Sequence, residues 1–202
     1  MSAVERVEAE SALERFVTWQ NARSHLTLLG TEVEFSCEVD LGSERVHLTG
    51  SADRVERDHE GRIRIVDFKT SKSAPTAADI AVHDQLGVYQ LAVQQGGFAA
   101  IAGEGARPAG AELVYLRLAD GENGHPRTFQ QASLDDVPFP IHPPDAAQTL
   151  SAAQPTWVHR RLAEAAQIIR NEDHDARIGP GCRYCPFRTS CPAQPAGQQV
   201  VK

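Results

Sequence analysis

The sequence predicts an α/β domain, a mixed β-sheet flanked by helices. Three observations predict it. Residues 62–70 combine β-branched and apolar side chains with a charged pair, the pattern of a mostly buried strand. Two further strand-like runs, 31–39 and 45–57, precede it and are separated by turn residues. Helix-like segments stand before, after and well downstream of these strands, the order expected for a sheet covered by helices.

The elements follow in order. In residues 2–22, Ala3, Val7, Ala12, Phe16 and Trp19 form a loosely periodic apolar stripe among Glu and Arg, which predicts a first helix. Residues 24–30 read as a break. In 31–39, Val33, Phe35, Cys37 and Val39 alternate with Glu32, Glu34, Ser36 and Glu38, a half-buried strand. A turn at 41–44 leads to the second strand, 45–57. The polar, Gly-ending run 57–61 is a hairpin turn into the third. These three strands make an antiparallel meander. Residues 71–75 are a loop. Thr76 and Asp79 have capping-box spacing, with Asp in place of the usual Glu or Gln, so one helix is expected over 77–95, ended by Gly96 and Gly97. The Gly-rich stretch 103–110 is a loose connection. A strong strand follows at 111–118, then a turn at 120–124 and a shorter strand near 127–131. Residues 133–145 are Pro-rich and irregular. Residues 146–171 are mostly helical, with Pro155 splitting or restarting the helix. No internal repeat is present. The expected organisation is a core over 1–177, a cysteine knuckle over 178–192 and a frayed tail over 193–202.

The 202 residues suffice for one ordinary domain with a sizeable core, and 41% apolar with 23% charged residues is globular composition. A net charge of −7 excludes wholesale coating by nucleic acid but leaves room for a local basic groove. No run approaches the roughly 18 apolar residues of a membrane helix, and no charged-then-apolar signal opens the chain. The expectation is a cytoplasmic protein with no membrane partner. Three of the four cysteines lie within ten residues, which argues against a secreted disulfide framework.

The stretch that carries chemistry is the third strand. Alternation puts Ile63, Ile65, Asp67 and Lys69 on one face and turns Val66 and Phe68 into a core on the other. An isolated buried charge is costly, so Asp67 and Lys69 need partners such as an ion, a substrate or an opposite charge. Asp53 lies on the preceding strand, and folding the hairpin brings it near Asp67. Two carboxylates and one lysine at a hairpin end make a divalent-metal site with a cationic helper. Such a site suits phosphodiester hydrolysis, which needs a water deprotonated near neutral pH and charge relief at the phosphate. Lys69 would act there as a point charge, and the Phe68 carbonyl is a candidate metal ligand. The string alone leaves a second possibility open, an Asp–Lys pair on a solvated strand end with Asp53 capping a turn.

Context narrows the choice. Gly50 with Asp53-Arg54, then Asp67-x-Lys69-Thr70, then Gln85 and Tyr89 four apart on a helix, form an ordered set. The set resembles the nuclease domain of the RecB family, within the PD-(D/E)xK superfamily, and covers residues 31–95 well. The resemblance implies a restriction-endonuclease-like fold. It implies that Asp53 and Asp67 bind Mg²⁺ or Mn²⁺, that Lys69 is the catalytic lysine, and that Gln85 and Tyr89 support the lysine or the DNA strand. The family usually supplies a further ligand, His or Glu, from a helix near the start of the domain. Glu10, Glu14 and Glu32 are the candidates here, and the expectation is a chain that begins after that helix, with weaker metal binding.

Cys182, Cys185 and Cys191 have C-x2-C-x5-C spacing, bracketed by Gly179-Pro180-Gly181 and followed by Pro186 and Pro192. Close thiolates of this kind suit a soft metal. Three ligands are one short of a closed site, and Cys37, on the apolar face of a strand, reads as a buried small hydrophobe. The spacing resembles the C-terminal part of the iron–sulfur staple of AddB-type and CRISPR-associated RecB-like nucleases, which implies a [4Fe–4S] cluster completed by an upstream fourth cysteine. A structural knuckle that binds zinc, or has lost its metal, is the alternative.

Arg23, Arg62, Arg64, Lys72, Arg160 and Arg161 are candidate phosphate contacts, Lys72 foremost, with ordinary solvated surface as the alternative for each. The eight histidines show no zinc-type pairing and receive no role. Trp19 and Trp157 read as core. The resemblance implies a metal-dependent DNA nuclease domain of a helicase–nuclease that resects double-strand breaks, of the RecB, AddB or mycobacterial Adn kind. DNA, single-stranded ends above all, is the implied partner. No G-x-x-x-x-G-K-[ST] phosphate loop occurs, so a motor would lie upstream or in a partner subunit. The alternatives are an inactive DNA-holding or assembly module of the same fold and a stand-alone nuclease of CRISPR adaptation.

Overall fold

The meander is present, and it forms one side of a five-stranded sheet. The computed structural model describes residues 2–42, 44–121, 124–136, 155–172, 175–195 and 197. The strands are β1 (Thr27–Asp40), β2 (Arg45–Arg57), β3 (Ile63–Lys69), β4 (Pro108–Asp120) and β5 (His125–Gln131), in spatial order β1-β2-β3-β4-β5. Pairing is antiparallel except between β3 and β4, which run parallel. The sheet is therefore mixed and α/β, as expected. The helices are α1 (Ala3–Asn21), α2 (Ala77–Ala81), α3 (Asp84–Gln94), α4 (Ala99–Ala102) and α5 (Trp157–Arg170), with a 3-10 turn at Pro180–Tyr184. The chain divides into two units, Met1–Ala163 and Glu164–Lys202.

The parallel pair needs a crossover, and α2, α3 and α4 supply it. With α1, they cover both faces of the sheet. On one, Trp19 packs with Val66 and Val114, and Phe16, Phe68 and Leu116 close around them. On the other, α3 lies across β3 and β4. Its buried residues include Leu86, Tyr89 and Leu91, and the Tyr89 and Phe98 rings both stack against Phe35 of β1. The alternation read from β1 and β3 holds, including the burial of Phe35, Cys37 and Val39.

Local chemistry explains the boundaries. Ser2 caps α1, accepting from the Glu5 N–H while Glu5 reaches back to the Ser2 amide. The hairpin between β2 and β3 closes on Asp58, whose carboxylate accepts from the Glu60 and Arg62 amides, with Gly61 at φ +80. The capping box at Thr76 and Asp79 is formed in both directions. The helix it starts is shorter than expected: it ends at Ala81, and α3 begins anew at Asp84. No Gly or Pro marks that break. It is satisfied from another element, because the Gln131 side chain on β5 donates to the carbonyls of Ile80 and His83. Strands β1 and β4 each start earlier than alternation suggested, at Thr27 and Pro108. The expected helix over 146–154 and most of the Pro-rich stretch lie outside the described residues.

Candidate active site

Strands β2 and β3 place the two acids. Their ladder pairs Arg54 with Val66, and one step further along each strand sets Asp53 opposite Asp67. Opposite residues of an antiparallel pair share a face, here the face under α3. Asp53 Oδ2 accepts the Phe68 backbone N–H at 2.7 Å. The paired rungs end at Arg54 and Val66, so a side chain supplies the acceptor that the β2 backbone no longer offers. Asp67 is only 3% exposed.

Around Asp67 the structure gathers Lys69, Gln85 and Tyr89. Lys69 Nζ stands 2.6 Å from Asp67 Oδ2 and donates to Gln85 Oε1 at 2.9 Å. Gln85 Nε2 donates to Asp67 Oδ1 at 2.8 Å and to the Tyr89 hydroxyl at 2.9 Å. The Tyr89 hydroxyl faces two acceptors, the Ser51 carbonyl at 3.0 Å and Asp67 Oδ1 at 3.3 Å. Residues 85 and 89 lie one helical turn apart on α3, which is why one helix can present both to the same carboxylate. The restart of the helix at Asp84 places Gln85 in its first turn.

Burial pushes the Tyr89 phenol up to about 12; the charges of Asp67 and Asp53 add to this, against the Gln85 hydrogen bond. Tyr89 is thus a neutral donor at ordinary pH and no base. Burial, and then the Lys69 charge, hold the neighbouring His83 below the usual imidazole range.

Asp67 Oδ2 is the informative atom. It is buried, and its one close partner is the Lys69 ammonium at 2.6 Å. A hard cation takes carboxylate oxygens, and Asp67 and the facing Asp53 are the two acids of this face that would hold one, in exchange for contacts now made by Lys69 and the Phe68 N–H. A third protein ligand is missing: among the described residues no group of three or more His, Cys, Asp or Glu is arranged to hold a metal. Glu10 and Glu14 are exposed on α1, whose Phe16 and Trp19 pack on the Phe68 face, opposite Asp67. Glu32 is exposed on β1 with φ +50.

Several sequence expectations are corrected. Arg23 is not a phosphate contact. Its guanidinium is buried against Glu56, in close ion contact, and against Glu112 at 3.0 Å, and it lies 4.3 Å over the Trp19 ring. Arg54, from the Asp-Arg pair, donates to Glu56 at 2.7 Å on that same face. Trp19 Nε1 donates to Glu112 at 3.2 Å. Burial works to raise the Glu56 carboxyl, but the hydrogen bonds and charges of Arg23 and Arg54 outweigh it and hold it below the usual range. This network ties α1, β2 and β4 together directly behind Asp53. The signal available in sequence was two acids, Glu56 and Glu112, at strand positions that alternation turns inward. Lys72 pairs with Glu8 at 2.7 Å, Arg62 with Asp58 and Glu60, and Arg64 donates to the Ala109 carbonyl.

The iron–sulfur ligand set expected at Cys182, Cys185 and Cys191 has no support in the geometry. All three are free, and the Cys182 thiol is engaged as a hydrogen-bonding group, near the Gly179 N–H and the Arg177 carbonyl. Cys37 is a buried small side chain, its thiol pushed up by burial.

Comparison with known proteins agrees with this architecture. The PD-(D/E)XK nuclease superfamily model matches residues 1–192. A solved structure described as "Crystal structure of SSO0001" superposes with a TM-score of 0.50 at 17% identity, covering 92% of this chain and 70% of that chain, a likeness of fold. No curated protein sequence matches the chain.

Proposed function

The chain belongs to the PD-(D/E)XK nuclease superfamily, and from that premise we propose that it is a divalent-metal-dependent DNA nuclease domain. The carrying observation is the Asp67 carboxylate: buried, facing Asp53, with a lysine ammonium 2.6 Å from one of its oxygens. Asp53, Asp67 and the Phe68 carbonyl are the proposed ligands of Mg²⁺ or Mn²⁺. Bound there, the cation supplies a water acidic enough to attack near neutral pH and charge relief at the scissile phosphate.

The residues of the chain then have distinct tasks. Lys69 Nζ, anchored by Gln85 Oε1, is a point charge at the edge of the carboxylates, positioned to stabilise negative charge developing on the phosphate. Gln85 holds Asp67 and Lys69 in register through its two amide ends. Tyr89 shares its one hydroxyl hydrogen between the Ser51 carbonyl and Asp67 Oδ1. Phe68 N–H holds the Asp53 carboxylate.

The finer assignment is to a RecB- or AddB-like nuclease module that works with a helicase, upstream or in a partner subunit, on single-stranded ends during double-strand-break repair. Its support is the Gly50/Asp53-Arg54, Asp67-x-Lys69-Thr70 and Gln85/Tyr89 order. A second reading, a nuclease-fold DNA-holding module without catalysis, is favoured by the two-carboxylate donor set. The test is cleavage of single-stranded DNA with Mg²⁺ and with Mn²⁺. The nuclease reading requires cleavage that EDTA abolishes and that Asp67→Ala and Lys69→Ala both lose. Absence of cleavage with either ion, in protein that still binds DNA, selects the holding module.

A further inference from the structure

The C-terminal unit carries the only exposed aromatic side chains among the described residues. Tyr184 is 80% exposed and Phe187 71%. Every other described aromatic ring is buried or half-buried in the first unit. Large rings left in water are informative where they cluster with one kind of polar group. Here each ring is flanked by an arginine, Arg183 before Tyr184 and Arg188 after Phe187. The Arg183 guanidinium lies 5.5 Å from the Tyr184 ring centre. Residues 176–195 contain Arg177, Arg183 and Arg188 and no Asp or Glu, in a chain of net charge −7. The backbone beneath them is tightly turned. Cys182 N–H donates to the Gly179 carbonyl, Cys185 to Cys182, Arg188 to Cys185 and Ser190 to Phe187, and Pro180, Pro186 and Pro192 restrict what remains.

Exposed rings interleaved with cations on a constrained loop match the chemistry of a single-stranded polynucleotide: bases stack on rings and phosphates meet guanidinium groups. A duplex offers no free base faces, and an acidic protein partner would use the arginines without needing exposed rings. We propose that Tyr184 and Phe187, with Arg183 and Arg188, form a sequence-tolerant stacking platform for single-stranded nucleic acid. This rests on the nuclease reading for its biological sense but not for its test.

The experiment measures binding of a fluorescein-labelled oligothymidylate, longer than the roughly 4–16 nucleotides that one binding fold covers, to the full chain in EDTA and reductant by anisotropy. Replacing both rings, Tyr184→Ala with Phe187→Ala, should weaken binding by roughly 5–150-fold per ring lost from a stacked base. The exchanged pair Tyr184→Phe with Phe187→Tyr should bind as the unaltered protein does. Arg183→Ala with Arg188→Ala should lower the salt slope of log K by roughly 0.7 for each phosphate contact removed. Hydrolysis of bis(p-nitrophenyl) phosphate with Mn²⁺, which needs no platform, is followed in parallel. Weakened oligonucleotide binding in the ring variant supports the platform whether or not the small diester is cleaved. Unchanged binding in that variant, or no binding by the unaltered chain, overturns it while leaving diester cleavage to decide the nuclease reading separately. Equal loss in a duplex and in the single strand also overturns it, since stacking requires open bases.

Discussion

Asp67 and Lys69, two residues apart on β3, face each other with Nζ 2.6 Å from Oδ2, at the point where the strand leaves the core. The pair is held from α3 by one amide, that of Gln85. A compact ammonium suits this slot, and a planar guanidinium with its fork of donors does not. Lys69→Arg therefore keeps the charge and loses the geometry. Its DNA-cleavage kcat should fall about 10²–10³-fold, with an unfolding midpoint close to that of the unaltered chain. Single-turnover kinetics with a labelled single strand is the check. Retention of near-full activity would remove Lys69 from the chemistry.

Gln85→Glu separates positioning from packing. The change keeps size and the acceptor toward Lys69, but it replaces the donor toward Asp67 with a second negative oxygen. Like charges this close resist joint ionisation. The expected result is a kcat reduced about 10²-fold or more, partly recovered as pH falls and the carboxylate pair takes up a proton, the range general for such positioned groups. Gln85→Leu, which removes all three side-chain hydrogen bonds, should show the loss without the recovery. A pH profile of cleavage for both variants distinguishes them.

Tyr89 should act as a donor throughout the working range. Its phenol is pushed up to about 12, first by burial, so no ionisation of Tyr89 should appear in the rate profile below pH ~10, the ordinary tyrosine value. Tyr89→Phe leaves Asp67 Oδ1 with Gln85 alone and the Ser51 carbonyl without this donor. A loss of about 1–3 kcal/mol in unfolding free energy is expected for those orphaned acceptors, read by urea titration.

Behind the site, Glu56 is fully buried between Arg23 and Arg54. Its carboxyl is held below the usual range, so the sign is that of a depressed acid. The contribution is complete above the ordinary glutamate value near pH ~4.3 and is lost as pH falls through the lower folded value. Glu56→Gln takes the negative partner from buried Arg54 and one of the two from Arg23, which keeps Glu112, and should cost about 3–5 kcal/mol at neutral pH. It should also flatten the acid limb of the stability curve, measured by urea unfolding between pH 3 and pH 7, an interval set around that ordinary value.

These outcomes bear on what was legible beforehand. Local pattern carried the strands: alternation in β1 and β3 put Phe35, Cys37, Val39, Val66 and Phe68 inside correctly, because period two is a property of the strand itself. The motif spacing brought Asp67, Lys69, Gln85 and Tyr89 into one cluster. What escaped was decided by distant partners. Arg23 read as a free cation because its anchors are 33 and 89 residues away, at Glu56 and Glu112. The break before α3 was invisible because the group that satisfies it, Gln131, lies on the last strand. Cysteine spacing suggests three ligands of a metal set, one short of closure, yet spacing bounds reach without fixing where each sulfur points.

The seat of α3 offers the last test, since α3 carries both Gln85 and Tyr89. Gly87 sits between them and faces Trp157 and Val158 of α5. A Cβ there would lie 2.6 Å from Trp157 Cη2 and 2.8 Å from Val158 Cγ2, distances no packed core tolerates. Alanine at this position favours the helix intrinsically by about 1 kcal/mol, so any loss reports on packing alone. Gly87→Ala should force α3 or Trp157 to shift, costing about 1–3 kcal/mol through overpacking. If the seat of the helix sets the site, cleavage should fall with it, because Gln85 is held to Asp67 and Lys69 by single hydrogen bonds. Adding Trp157→Phe, which removes the ring edge but leaves Val158 Cγ2 in place, should restore part of both stability and kcat. Restoration of stability without kcat would show that the position of α3 is not what aligns the carboxylate and the lysine.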